Sequence, residues 1–196
     1  MSIAAADRAD VTLVRSFVAL PVPEHVRNAL ADMQRQLAGH FPQARWTRPE
    51  TLHLTLCFFG DQPEEALDKI AAIMLSVSAR FAPFVVRSTG IGAFPRKRWA
   101  RGFWLGLEAS PTLLDLQRTL LAGWRQAGLV TASGTFSPHL TLGRLRHPQP
   151  VAAEFFASSA STAVVSWQVK RLVLYESRLQ TTGAEHLSRR VALLGG

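Results

Sequence analysis

The sequence has a single cysteine, Cys57, which excludes an intramolecular disulfide framework and any multi-cysteine zinc site. A reducing, cytoplasmic setting is the simplest expectation. Charge is also sparse, at 18% of residues, against about 25% in ordinary soluble domains. No apolar run approaches the roughly 18 residues that a membrane helix needs. The first ten residues, MSIAAADRAD, carry two acids and no apolar stretch, so they do not read as a secretory signal. There is no low-complexity tract and no long linker. Against these absences stands a hydrophobic fraction of 47% in 196 residues. That excludes global disorder and suits one domain, or two small lobes sharing an interface.

The charge that is present leans one way. Lys and Arg number 22 against 14 Asp and Glu, for a net charge of +8. Only Lys69, Lys97 and Lys170 are lysines; the other cations are Arg. The planar guanidinium fork matches phosphate oxygens. A polyanionic partner, nucleic acid first, is one reading and a generic basic surface is the other.

Residues 1–10 read as a flexible tail and 11–196 as one domain. Val11–Leu20 is a β-rich run closed by Pro21–Pro23. Glu24–Leu37 places Val26, Leu30, Met33 and Leu37 on one helical face. Leu52–Phe59 reads as a strand closed by Gly60. Asp61 and Pro63 open a helix reaching Arg80, with Leu67, Ile70, Met74 and Val77 inward. Phe84–Thr89 is a strand, followed by a Gly-rich basic loop, GIGAFPRKRWARG. Phe103–Glu108 is a strand and Pro111–Ala127 a helix between Ser110 and Gly128. Strands are expected at Phe136–Leu145, Trp167–Tyr175 and His186–Leu194, with a short helix at Val151–Ala160. The mixed order predicts an α+β fold with helices on the outer faces of the sheet.

One internal repeat stands out. Residues 51–56 read TLHLTL and residues 137–142 read SPHLTL, so His-Leu-Thr-Leu recurs at an offset of 86. In a strand, residues i and i+2 share a face. Leu54 and Leu56 therefore face a core while His53 and Thr55 face the other way. Leu140 and Leu142 stand in the same relation to His139 and Thr141. If the two lobes pack about a pseudo-twofold axis, the pairs converge on one cleft. Imidazole is the side chain that titrates near neutrality, and two of them can act as base and acid in one step. Thr55 and Thr141 can bind phosphate oxygens without adding charge, and Arg144 can add a cation at the mouth. A single His in a strand is usually structural, but two identical copies on matching faces favour the paired site. Neither motif has HxxxH spacing or an internal carboxylate, so zinc is disfavoured. Cys57 continues the His53–Thr55 face, yet a lone Cys in an apolar run is expected to pack. Trp46, seven residues before the first motif, either lines the cleft or packs, and packing is favoured.

On these two motifs the sequence resembles the 2H phosphoesterase superfamily, and within it the RNA 2′,3′-cyclic phosphodiesterases, also known as 2′–5′ RNA ligases. VRSFVAL, RWTRPETLHLTLCFFG, GIGAFPRKRWARGFWLGL, FSPHLTLGR and LVLYESRLQTTG are similar to that group over nearly the whole chain. A tyrosine is frequent shortly after the late glycine in the family, whereas His186 stands near Gly183 here. The resemblance implies a bilobal α+β fold, with two antiparallel sheets lining a central cleft, a pseudo-twofold, and helices outside. It implies hydrolysis of RNA 2′,3′-cyclic phosphate ends to 2′-phosphomonoesters with no metal or cofactor, and reversible 2′–5′ joining. His53 and His139 would be catalytic, with His139 as base and His53 as acid, and Thr55, Thr141 and Arg144 would hold the phosphate. The expected partner is RNA or an oligonucleotide with a 2′,3′-cyclic phosphate end, with no membrane, and the expected state a monomer. Arg96, Lys97, Arg98 and Arg101, beside Phe94 and Trp99, suit single-stranded RNA as cations with interleaved aromatics, or are a solvated loop. A nucleotide-binding module without turnover, or a phosphodiesterase for a non-RNA cyclic phosphate, remain alternatives; both intact histidines argue for catalysis.

Overall fold

The computed structural model describes residues 12–96, 99–129, 131, 134–151, 164–181 and 183–195. In chain order they form β1 (Leu13–Pro21), α1 (Glu24–His40), β2 (Arg45–Trp46), a 3₁₀ turn η1 (Pro49–Thr51), β3 (His53–Pro63), α2 (Glu64–Ser78) and β4 (Phe84–Arg96). Then follow β5 (Trp99–Leu107), α3 (Pro111–Gln126), β6 (His139–Pro150), β7 (Ser166–Val169), β8 (Arg171–Gln180) and β9 (Gly183–Leu193). Pro23 and Pro63 cap the first two helices, and Ser110 caps the third by accepting from the Leu113 N–H at 3.4 Å. The apolar stripes read from the sequence are the buried faces: Val26, Leu30, Met33 and Leu37 on α1, and Leu67, Ile70, Met74 and Val77 on α2. No helix among the described residues is long and apolar enough to cross a membrane.

The strands pair antiparallel in the order β7-β4-β5-β6-β3-β1-β8-β9, with β2 added to β6. This α+β sheet is two antiparallel halves joined at a narrow seam. β3 and β6 share one register pair, Leu54 with Leu140. An antiparallel pair there runs His53 toward Thr141 and Thr55 toward His139. The bilobal arrangement is therefore centred on the repeated motif, with β1-α1-β3 on one side and β5-α3-β6 on the other.

The repeat extends beyond its four letters. On β3, Thr55 pairs with Ala19 and Cys57 with Val18, which leaves Leu56 as an extra residue. On β6, Thr141 pairs with Trp104 and Gly143 with Phe103, which leaves Leu142 extra. A bulge of this kind shifts the phase of side-chain alternation. In both strands the buried positions run Leu, Leu and then the very next residue (Cys57 or Gly143). Cys57 thus turns into the core instead of continuing the His53–Thr55 face, and burial pushes its thiol up to about 12. Phe58 and Arg144 turn to the open side.

Each bulge is tied to a helix of the other half. Gln34 on α1 donates to the Leu142 carbonyl at 2.8 Å and to the Thr47 carbonyl at 2.8 Å. Gln117 on α3 donates to the Leu56 carbonyl at 3.4 Å. Both glutamines are buried. Gln34→Met keeps the volume and removes the donors. It is expected to cost about 1 kcal/mol, because the part-buried Thr47 carbonyl loses its donor while the Leu142 carbonyl keeps the Thr47 N–H. Chemical denaturation checks this, and an unchanged midpoint would show that the bond stabilises nothing.

Three expectations change. The described residues of the Gly-rich stretch 90–102 are not a free loop: β4 and β5 pair from Ser88–Leu107 to Arg96–Trp99. Gly92 serves packing, since a Cβ there would collide with the Trp104 ring. The strand expected at Trp167–Tyr175 is two strands. It divides at Lys170, whose carbonyl accepts the Leu194 N–H at 2.9 Å; β7 joins β4 and β8 joins β1, at opposite ends of the sheet. Finally β2, two residues long, was not anticipated, because only its partner β6 makes it a strand. The tail 1–10 and the helix expected at 151–160 (Val151 apart) lie outside the described residues.

Candidate active site

The two motifs open β3 and β6, and their exposure alternates identically: half-buried His, buried Leu, half-buried Thr, buried Leu. His53, Thr55, His139, Thr141 and Arg144 line one cleft of about 410 Å³ at the seam. The leucines behind them are at most 3% exposed. The face assignment made from strand alternation is thus the observed one. Arg144 needed more than alternation: three residues past Thr141 it would face the core, and the Leu142 bulge returns it to the cleft.

Both histidines are held the same way. His53 Nδ1 lies 2.7 Å from the Thr51 carbonyl, and His139 Nδ1 lies 2.8 Å from the Ser137 carbonyl. A carbonyl only accepts, so each Nδ1 carries the proton and donates it, and each Nε2 is left for other work. The surroundings differ. Phe17 stacks on His53 with centroids 4.7 Å apart, and His186 meets it edge-on at 5.2 Å. Burial lowers the His53 pKa to about 4; the bond to Thr51 opposes this, while His186 and His139 reinforce it. Phe94 stands edge-on to His139 at 5.3 Å. His186, the departure from the family pattern, lines the cleft, and burial lowers its pKa as well.

The remaining lining is basic and polar. Arg45 and Arg48 join Arg144, and none of the three forms an ion pair among the described residues. No Asp or Glu lines this cleft. A side chamber of about 400 Å³ lies beyond His53 and His186, and there Glu50 and Glu185 accompany Arg48 and Tyr175. Trp46 does both things considered for it: it lines the cleft, and it packs on Phe103 at 5.6 Å. Among the described side chains singled out on the basic hairpin, only Phe94 reaches a catalytic candidate. Trp99 is 57% exposed and Arg101 is exposed on β5, and neither lines the cleft. The Arg96 backbone ends β4, while Lys97 and Arg98 lie outside the described residues. Sequence reasoning missed Arg45, Arg48 and Phe17 as site residues. The phrase RWTRPE held the first two, but nothing in it showed that β2 would pair with β6.

Residues 22–181 match the sequence signature of the 2′-5′ RNA ligase superfamily. The chain belongs to this superfamily. It is a 2H phosphoesterase, with its two motifs on the paired strands at the seam. An RNA 2′,3′-cyclic phosphodiesterase of Methanothermobacter thermautotrophicus is 33% identical over 172 residues, which is 87% of this chain and 93% of that protein. The crystal structure of TT0787 of Thermus thermophilus superposes with a TM-score of 0.78 at 28% identity, covering 93% of this chain and 98% of that one. E. coli LigT complexed with 3′-AMP shares the fold, with a TM-score of 0.70 at 24% identity, covering 93% and 98%.

Proposed function

We propose that the protein hydrolyses RNA 2′,3′-cyclic phosphate ends to 2′-phosphomonoesters by acid–base catalysis between His53 and His139. The observation that carries this is the pair of imidazoles with matched Nδ1 bonds, both lining one cleft that has three arginines and no carboxylate. Relatives bearing the name RNA 2′,3′-cyclic phosphodiesterase support the substrate class.

Water attacks phosphorus in line with the 3′ oxygen. One imidazole removes the water's proton through Nε2, and the other delivers a proton to the 3′ oxygen as its bond to phosphorus breaks. Thr55, Thr141 and Arg144 donate to the non-bridging oxygens as charge builds there. With a 5′-hydroxyl in place of water the same step, with the same two roles, gives a 2′–5′ linkage; in the reverse of that joining the 3′-hydroxyl attacks, the 5′ oxygen leaves and the roles exchange. A pKa lowered to about 4 leaves His53 neutral at pH 7, ready to accept a proton. That favours His53 as base and His139 as acid in hydrolysis, the reverse of the assignment first drawn from the sequence.

The test is kcat/KM for a 2′,3′-cyclic nucleotide across pH, which reports groups in the free protein. A neutral base of pKa about 4 gives a rate that falls only below that pH, tenfold per unit, and falls again where the acid loses its proton. The wild-type profile has the same shape for either assignment, so the residual rate of His139→Ala separates the roles: it falls below about pH 4 if His53 is the base and above about pH 4 if His53 is the acid. No turnover at any pH would remove the hydrolytic reading.

A further inference from the structure

Arg45 and Arg144 are direct cross-strand partners on β2 and β6. Like charges placed opposite one another destabilise a strand pair, and neither residue has a carboxylate partner among the described residues. Arg48, three residues along, extends the basic run and stands where the cleft meets the side chamber. Glu50 and Glu185 flank Arg48 only in the side chamber, and the cleft itself, lined by three guanidiniums and no carboxylate, concentrates positive potential and draws anions.

The segment carrying Arg45 and Arg48 is braced. The Thr47 N–H donates to the Leu142 carbonyl at 2.9 Å, and the Thr47 carbonyl accepts from Gln34 at 2.8 Å. Arg45 Nη2 donates to the Thr181 carbonyl at 3.4 Å, and Arg48 Nη2 donates to the Ala184 carbonyl at 3.0 Å. These neutral acceptors, one in the β8–β9 turn and one on β9, orient the two forks without cancelling their charge. Each guanidinium has five N–H donors, so most remain free. The reacting phosphate already has Thr55, Thr141, Arg144 and the two imidazoles around it. Arg45 and Arg48 are left over, and the next phosphate along an RNA end is the one on the 5′ side of the same nucleoside.

We propose that Arg45 and Arg48 form a second phosphate site, which holds the 5′-phosphodiester of the terminal nucleoside and makes the protein prefer RNA chain ends over mononucleotides. The proposal rests on the hydrolytic reading above for the identity of the substrate, but its binding prediction does not need turnover. The strand would then leave the histidine pair along β2, away from the β4–β5 hairpin.

Calorimetric titration with adenosine 2′-monophosphate and adenosine 2′,5′-bisphosphate separates the two sites. The wild type is expected to bind the bisphosphate at least about tenfold tighter, the lower end of what one charge-assisted hydrogen bond gives. Arg45→Ala and Arg48→Ala should each shrink the ratio of bisphosphate to monophosphate affinity, and each should flatten the salt dependence of bisphosphate binding by about 0.7 in logarithmic slope. Equal wild-type affinity for the two ligands, or equal loss on both in the variants, overturns the second site. Kinetics then distinguish a chain phosphodiester from a free 5′-phosphate. A dinucleotide ending in a 2′,3′-cyclic phosphate should show a higher kcat/KM than the cyclic mononucleotide, and no gain would overturn the RNA-chain assignment. If no cyclic phosphate is hydrolysed while the bisphosphate preference persists and depends on Arg45 and Arg48, the hydrolytic reading falls and the second phosphate site stands.

Discussion

Replacing His53 or His139 with Ala is expected to lower turnover of a 2′,3′-cyclic nucleotide by about 100- to 10,000-fold in each case, the usual contribution of one positioned proton transfer. The two residues are not redundant. Each has its own carbonyl anchor, on Thr51 or Ser137, and each would serve one of the two oxygens that change protonation state. If they act as a unit, the double variant loses little more than the worse single one. His139→Ala is the cleaner probe, because that ring is only half-buried and its removal should leave the melting temperature nearly unchanged. His53 packs between Phe17 and His186, so His53→Ala also opens a gap there, and its rate must be read beside a denaturation curve. A near-normal rate in folded His139→Ala would defeat the two-histidine mechanism.

Gly143→Val should damage both stability and oligonucleotide binding. A Cβ at Gly143 would sit 2.7 Å from Trp46 Cε3 and 3.2 Å from the Arg45 carbonyl oxygen. Trp46 has little room to retreat, because it stacks on the fully buried Phe103. The new side chain therefore pushes β2 off β6 and carries Arg45 with it. Overpacking of this kind costs about 1–3 kcal/mol. The loss of Arg45 from its place should raise KM for an oligonucleotide more than for a mononucleotide. Denaturation together with kinetics on both substrates checks it. An unchanged melting temperature with unchanged KM values would mean that Gly143 does not seat β2.

The site's centre was legible in the sequence, because strand alternation is a local rule and HLTL occurs twice. Period two alone placed His53, Thr55, His139 and Thr141 on one side and four leucines on the other. The helices were legible for the same reason, through their apolar stripes. What escaped was what one strand does to another. The bulges at Leu56 and Leu142 appear only when β1 and β5 are laid alongside. In hindsight the leucine spacing hints at the second, since Leu140, Leu142 and Leu145 break the alternation. β2 exists only through β6, which hid Arg45 as a cleft residue. Gly90, Gly92 and Gly102 read as a loop because glycine usually punctuates, whereas Gly92 makes room for the Trp104 ring inside a hairpin. The break at Lys170 separates two strands that join opposite ends of the sheet, and no local pattern in WQVKRLVLY announces it.

The most direct measurement is incubation of the wild-type protein with adenosine 2′,3′-cyclic phosphate in excess EDTA, with the products separated by chromatography. Two imidazoles that together move both protons should give adenosine 2′-monophosphate at a rate the chelator does not change, and His139→Ala should slow its formation by about 100- to 10,000-fold. No turnover, accumulation of the 3′-monophosphate, or a reaction that stops when the chelator is added would contradict it.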